Sequence, residues 1–344
     1  MQLPDLYRQM ARARVFEIAV ADLWERGLVS GEMHLGTGEE AVAAGTVTHL
    51  REGDGLSLTH RGSPALVVRG VPLVPMLREL LGKPDGLCHG RGGHMHLFSR
   101  AHLAATSGIV GSSVPVGAGF ALAAKRLRPG SIGLAVTGDG AMNQGMLLET
   151  LNLAAAWSLP LLVVCIDNGW AITTRSEAVT GGDLAERARA FGWTVERVDG
   201  TDVVEVHERA GDLVGHVRHG RGPAFLYATC PRLDGHFLGD PLVEQSRHLT
   251  GDATRRTLGG VISAALKADG GGAGARVTSM ARMMGTMARA RIGPSRDGRG
   301  DPMHAATRAM ASRAEERQRI DAEVEREIAA AVEAALADGE VAHA

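Results

Sequence analysis

The chain has 344 residues, 44% apolar and only 3% aromatic, with 37 basic against 39 acidic side chains and a formal charge of −2. It is long enough for one large α/β domain with appendages or for two domains, and its charge balance offers no basic face to nucleic acid. Three widely spaced cysteines (Cys88, Cys165, Cys230) argue against a disulfide framework or zinc site, and no run approaches the roughly 18 apolar residues of a membrane span. The expectation is a cytoplasmic chain in a reducing compartment, with neither nucleic acid nor membrane as partner.

Residues 3–27 carry helical periodicity with mixed charge, a helix start rather than a signal peptide. The loop SGEMHLGTGEEAVAAG leads into a second helix from about Glu39. Residues 56–70 read as a short strand start and a turn, and VPLVPMLRELLG as a helix with a Gly stop. GLCHGRGGHMHLFS (86–99) is too rich in Gly and His for a regular element, and SGIVGSSVPVGAGFALAAKR is a Gly-rich turn entering a helix of small residues. Strands are expected at 131–137, 159–166, 193–200 and 222–230, separated by helices at 143–157 and 202–220. Apolar runs alternating with helices indicate a parallel sheet buried on both faces, whose ligands bind at the carboxyl ends of the strands. Asp139, Asn168 and the segment after Thr229 all fall at such ends.

Past residue 240 the pattern weakens to a helix around 252–268, a flexible GGG linker, a short Met-bearing helix and a loop. A last helix shows Ile320, Val324, Ile328, Val332 and Leu336 at every fourth position, one stripe to be buried on the domain or on a partner subunit. The division that follows is 1–245 for the main domain, 246–310 for an insert and 311–344 for the C-terminal helix.

The turn Gly138-Asp139-Gly140 puts a carboxylate at a strand end, and Asn168 follows 29 positions later, after the next strand. One helical crossover between parallel strands takes about this length, so the two side chains can meet. Their oxygens are hard ligands suited to Mg²⁺, which completes its shell with phosphate oxygens. The alternative is an N-cap Asp and a turn Asn.

This pattern resembles the thiamine diphosphate signature. THRGS, GRGGHMH, SGIVGSSVPVGAGFALAAK, GDGAMNQG, AAAWSLPLLVVCIDN and RLDGHFLGDP, in that order, resemble the E1α subunits of 2-oxoacid dehydrogenase complexes of pyruvate, acetoin and branched-chain type. The resemblance covers roughly residues 5–245 and, more loosely, the last helix. It implies the thiamine-diphosphate-binding fold, a parallel sheet flanked by helices on both faces with N-terminal helices and a C-terminal helical extension. It also implies decarboxylation of a 2-oxo acid and transfer of the acyl group to a lipoyl group on an E2 or carrier protein. Asp139 and Asn168 would bind Mg²⁺ with the carbonyl of Trp170, and Gly138, Gly140 and Ala141 would border the diphosphate. His60 and Arg61 would contact the diphosphate, and Gly108 and Val110 would face the aminopyrimidine ring. His236 would sit on the loop that covers the site and handle protons, with His60 the second catalytic candidate. The Glu that activates the ring comes from the β subunit in this family, so an α₂β₂ assembly is implied.

Plainer roles are open for several residues: His60 as a solvated turn residue, Arg61 in a surface ion pair, His94 and His96 as loop fasteners, and Glu149 as a structural or subunit-contact carboxylate on a helix interior face. Ser63, His94 and Phe237 depart from the family pattern, where His, Ser and Ser are usual, and all three are expected near the substrate pocket. The stretch 250–302 exceeds the family connection by roughly forty residues, an insertion of little stability cost. These departures motivate an unusual substrate or acyl acceptor, and an alternative activity: transketolase-like two-carbon transfer to a lipoyl or carrier thiol.

Overall fold

The computed structural model describes residues 1–239, 278, 281 and 300–337. In chain order the elements are α1 (Leu3–Glu25), α2 (Glu40–Val47), β1 (Gly55–Thr59), α3 (Ser63–Arg69), α4 (Leu73–Leu80), β2 (Phe98–Ser99) and β3 (Ala104–Ser107). Next come α5 (Ser113–Leu127), β4 (Gly133–Gly138), α6 (Gly145–Ala156), β5 (Leu161–Asp167), the small hairpin β6 (Trp170–Ala171) and β7 (Thr174–Arg175), and α7 (Ser176–Val179). The series ends with α8 (Leu184–Ala190), β8 (Thr194–Asp199), α9 (Val203–Arg218), β9 (Ala224–Thr229), α10 (Pro302–Ala309) and α11 (Ala314–Leu336).

Among the described residues seven strands form one sheet in the order β2-β3-β1-β4-β5-β9-β8, parallel throughout except for β2 against β3. The apolar runs of β4 and β5 feed two cores at once, because successive side chains on a strand point to opposite faces. Leu134, Val136, Leu162 and Val164 join the face covered by α1, α2, α3, α4, α9 and α11. Ala135, Leu161, Val163 and Cys165 join the face covered by α5, α6 and α8. The small residues of α5 let it lie close on the sheet: a Cβ on Gly117 would sit 2.6 Å from Ala135 Cβ.

The C-terminal stripe is buried within this chain. Ile320, Val324 and Ile328 are buried in the first core, with Val332 and Leu336 packed at its edge. Arg78 Nη2 and Lys83 Nζ donate to the last carbonyls of α11, where cations complement the helix dipole. Arg14, buried on α1, donates to Glu40 Oε1 at 2.5 Å and to both Asp301 oxygens at 2.9 and 3.0 Å. Asp301 also caps α10 by accepting from Met303 N–H at 2.8 Å. That helix ends the stretch expected as an insert, whose helix at 252–268, linker and loop lie outside the described residues.

Three further readings change. Ser63–Arg69 is helix rather than turn, with Pro64 in its first turn, where a missing N–H costs nothing. Phe98–Ser99 and Ala104–Ser107 pair as strands although the Gly- and His-rich sequence predicts no regular element at 86–99. Glu149 is exposed on α6 rather than facing the helix interior. Among the described residues no helix is long and apolar enough to cross a membrane.

Candidate active site

From β1 the chain passes first to β3 on one side and then returns to β4 on the other. The carboxyl ends of β3, β1, β4 and β5 therefore surround one crevice, the usual ligand position in such sheets. A cavity of about 540 Å³ opens there, a volume within the range of small-molecule sites. His60, Arg61, Gly108, Val110, Gly138, Asp139, Gly140, Ala141, Asn168, Trp170 and His236 all line it. The structure thus brings together every residue singled out from the sequence as a candidate for catalysis or for cofactor or metal binding.

Asp139 and Asn168 arrive on neighbouring strands whose register pairs Gly138 with Ile166. The Asp139 carboxyl is buried, and Ser176 Oγ donates to it. Burial raises this carboxyl to about 6, the Ser176 bond opposing and the nearby Asp167 carboxyl adding to the rise. Asp167 is not part of the cavity lining and accepts from Gly169 N–H at 2.7 Å and from the Tyr227 hydroxyl. Asn168 Oδ1 accepts from Trp170 N–H at 3.1 Å, an Asx turn that holds its carboxamide and the Trp170 backbone on one side of the loop. Gly140 is required by close approach, since a Cβ there would meet Ala171 Cβ at 2.7 Å.

On the opposite wall, Arg61 is buried without an ion pair among the described residues, which rules out the surface-pair role. Its Nη1 donates to Leu35 O and its Nη2 to His236 O, both at 2.6 Å, so one guanidinium joins the loop after α1 to the segment after β9. His60 is no solvated turn residue either: its Nε2 is buried and has no hydrogen-bond partner among the described residues.

Two residues of this wall were not anticipated. His34 is buried, with its ring edge-on to His60 and to His236 at 4.7 Å each. Ring nitrogens of His34, His60 and His236 lie within 4.8 Å of one another. Burial, with Arg61 adding, lowers His34 to about 3 and His60 further still, so both rings are neutral at pH 7. Glu39 also lines the cavity, and burial pushes its carboxyl up to about 8 against the pull of Arg61. The available signal was the density of ionisable groups in EMHLGTGEE, a Gly-rich segment directly before a helix.

The three family departures separate. Ser63 is buried beside Glu17, outside the cavity wall. His94 reaches His34 directly, its Nε2 standing 2.9 Å from His34 Nδ1. Phe237 lies edge-on to both His34 and His236, with centroids 6.2 and 6.0 Å away.

A model of the family described as dehydrogenase E1 component matches residues 8–255. The α subunit of acetoin:2,6-dichlorophenolindophenol oxidoreductase from Cupriavidus necator is 42% identical over 68% of this chain and 71% of its own. The pyruvate dehydrogenase E1 component α subunit of Zymomonas mobilis is 39% identical over 73% of this chain and 72% of its own. A crystal structure of transketolase from Campylobacter jejuni overlaps 65% of this chain and 37% of that one at TM-score 0.49 and 18% identity, too slight a likeness to argue from.

Proposed function

The chain belongs to the dehydrogenase E1 component family, and on that premise we propose that it is the α subunit of a thiamine-diphosphate-dependent E1 that decarboxylates a 2-oxo acid and passes the acyl group to a lipoyl group. The observation that carries this reading is the convergence of Asp139, Asn168, His60, Arg61 and His236 on one cavity at the carboxyl ends of adjacent parallel strands.

The donor set fits a hard divalent cation. Asp139 is a buried carboxyl with no ion pair among the described residues, and burial disfavours its charge. A Mg²⁺ ion bound by Asp139, the Asn168 carboxamide oxygen and the Trp170 carbonyl would supply the missing positive charge. Backbone N–H groups at Gly140 and Ala141, beside Gly138, would meet the diphosphate together with His60 and Arg61. The backbone at Gly108 and Val110 would border the aminopyrimidine ring. Thiamine diphosphate, when bound, supplies the carbon nucleophile and the electron sink for decarboxylation.

The chain's own side chains then have defined work. The neutral imidazoles of His34 and His60, with His236 opposite, offer ring N–H groups and lone pairs for holding or moving a proton at the substrate's acyl oxygen. Arg61, by holding the His236 carbonyl, keeps that segment over the cavity and reduces the access of water.

A β-type subunit is the proposed partner, in an α₂β₂ assembly with a lipoyl-bearing E2 or carrier protein as acyl acceptor. Support comes from exposed apolar side chains at Val116 on α5, Met146 and Leu153 on α6 and Trp157 just after α6, and at Ile109 and Val110 of the cavity lining. Where such side chains form one contiguous patch, they suit a protein-binding face. The three free cysteines are in keeping with a cytoplasmic location.

Calorimetry of the chain mixed with its β-type subunit tests the reading. Thiamine diphosphate should bind one per α chain only when Mg²⁺ is present, and Asp139→Asn should abolish it. Binding that ignores Mg²⁺ or survives that substitution would refute the metal assignment. A panel of 2-oxo acids assayed for CO₂ release, beside a ketol donor, then separates decarboxylation from two-carbon transfer.

A further inference from the structure

His94 stands outside the cavity wall, on the Gly-rich loop whose Met95 lines the cavity, and reaches that wall through His34. The loop is set from below by Glu79, a buried carboxylate on α4. Its Oε2 accepts from Cys88 N–H at 2.7 Å and Gly90 N–H at 2.9 Å, and its Oε1 from Gly92 N–H at 2.6 Å and Gly93 N–H at 3.2 Å. Beyond His94 the loop is set again by Thr106, whose Oγ1 donates to Met95 O at 2.9 Å and accepts from Leu97 N–H at 2.8 Å. Between these two anchors the His94 ring has little freedom. It lies buried and nearly parallel to the His34 ring, 21° apart, with the two rings hydrogen-bonded at 2.9 Å through His94 Nε2 and His34 Nδ1.

That bond decides what His34 can offer. A neutral imidazole has one donor nitrogen and one acceptor nitrogen, so the role Nδ1 takes in this bond sets the opposite role for Nε2. Nε2 is the nitrogen left over, on the ring that meets His60 and His236 edge-on. Phe237 packs edge-on against the same ring and closes the remaining side. We propose that His94 is a positioning residue, which through its bond to His34 Nδ1 holds that imidazole in a single tautomer and aims its Nε2 into the catalytic cavity. Neither ring is an imidazolium at neutral pH, since burial lowers His94 to about 4 and His34 to about 3, so the bond is between neutral partners and ties the tautomer of His34 to that of His94.

The inference rests on the E1 reading for its consequence, because only there does His34 face a reacting group, but its geometry is testable without the cofactor. The full chain labelled with ¹⁵N-histidine reports ring tautomers in long-range ¹H–¹⁵N spectra. The wild-type His34 should show one tautomer, His94→Leu a mixture, and His94→Gln, which keeps a hydrogen-bonding group near the Nε2 position, one tautomer again. In the holoenzyme with its β subunit, His94→Leu should lower kcat by about 10- to 100-fold, the usual effect of removing a group that orients a working histidine. KM and thiamine diphosphate affinity should stay unchanged, and His94→Gln should recover most of the loss. A single unchanged tautomer in His94→Leu overturns the proposal, as does a Gln variant no better than the Leu one while melting temperatures match the wild type. Should the wild type fail to bind thiamine diphosphate, the E1 reading falls, while the tautomer measurement still decides the role of His94.

Discussion

Replacing Glu79 by Gln tests how the Gly-rich loop is held, and its cost can be worked from the four hydrogen bonds. A Gln retains one carbonyl oxygen, enough for the pair of amides now shared by one carboxylate oxygen. The other two amides face an NH₂ group, losing their acceptor and meeting a second donor. Each buried donor left without a partner costs about 1–3 kcal/mol, so two cost about 2–6 kcal/mol. That cost is limited by the free energy at which the loop opens on its own, because a locally unfolded loop lets water satisfy the amides. Hydrogen exchange is the suitable assay, since it reads the amides of Cys88, Gly90, Gly92 and Gly93 individually. Two of the four should exchange about 30-fold faster or more, the equivalent of about 2 kcal/mol, while the sheet amides of β4 and β5 keep their protection. Unchanged protection at all four amides would show that the loop is held by packing and that the carboxylate bonds contribute little.

Glu17 makes stability depend on pH. It is fully buried, accepts from Gly36 N–H at 2.7 Å through Oε2, and has no hydrogen-bond partner at Oε1 among the described residues. Burial raises it from 4.5 to about 7. A carboxyl raised on folding contributes stability that is complete below the unfolded value and is lost as pH rises through the folded value. Between pH 5 and 8 Glu17 should therefore remove the equivalent of about 3 kcal/mol, read as the difference in urea midpoints between wild type and Glu17→Gln, because Glu39 and Asp139 titrate in the same window in both proteins. An equal slope in both proteins would refute the assignment. Arg14→Met leaves Glu40 and Asp301 as unpaired buried carboxylates and should cost about 3–5 kcal/mol in urea unfolding; a loss below 1 kcal/mol would mean that the pair does not tie α10 to α1. Gly140→Ala brings a Cβ against Ala171 and should weaken thiamine diphosphate binding by about 10- to 100-fold in calorimetry at unchanged melting temperature. Wild-type affinity would show that the turn moves freely.

The sheet was legible because its strands are buried on both faces. LAVT and LLVVCI read as continuous apolar runs for a reason the structure makes explicit: alternate residues enter two different cores. The C-terminal stripe at every fourth residue was legible for the matching reason in helices. What escaped were elements whose side chains carry no period. The strand Ala104–Ser107 is four residues of small and polar type, held as a strand by its pairing with Leu56–Thr59 and not by its own composition. The helix Ser63–Arg69 follows a turn signature and is carried by the burial of Leu66 and Val67.

At the site, legibility followed the strand ends. Asp139 and Asn168 could be paired from spacing because a single crossover separates them, whereas His34 and Glu39 reach the cavity from a loop between the first two helices, with no fixed spacing to the sheet. The departures at 63, 94 and 237 read from the sequence as three separate changes to one pocket, and the fold divides them differently. Ser63, on the first turn of α3, lies beside Glu17, behind the wall that Arg61 forms. His94 and Phe237 both pack on the His34 ring, one through a hydrogen bond and one through an aromatic edge. A serine at either position would leave space beside that ring and a hydroxyl in place of a ring partner. The two substitutions therefore act as one unit: His94 fills the polar edge of His34 while Phe237 fills the apolar side. Their effects on kcat should be non-additive, as expected for residues that share a single partner.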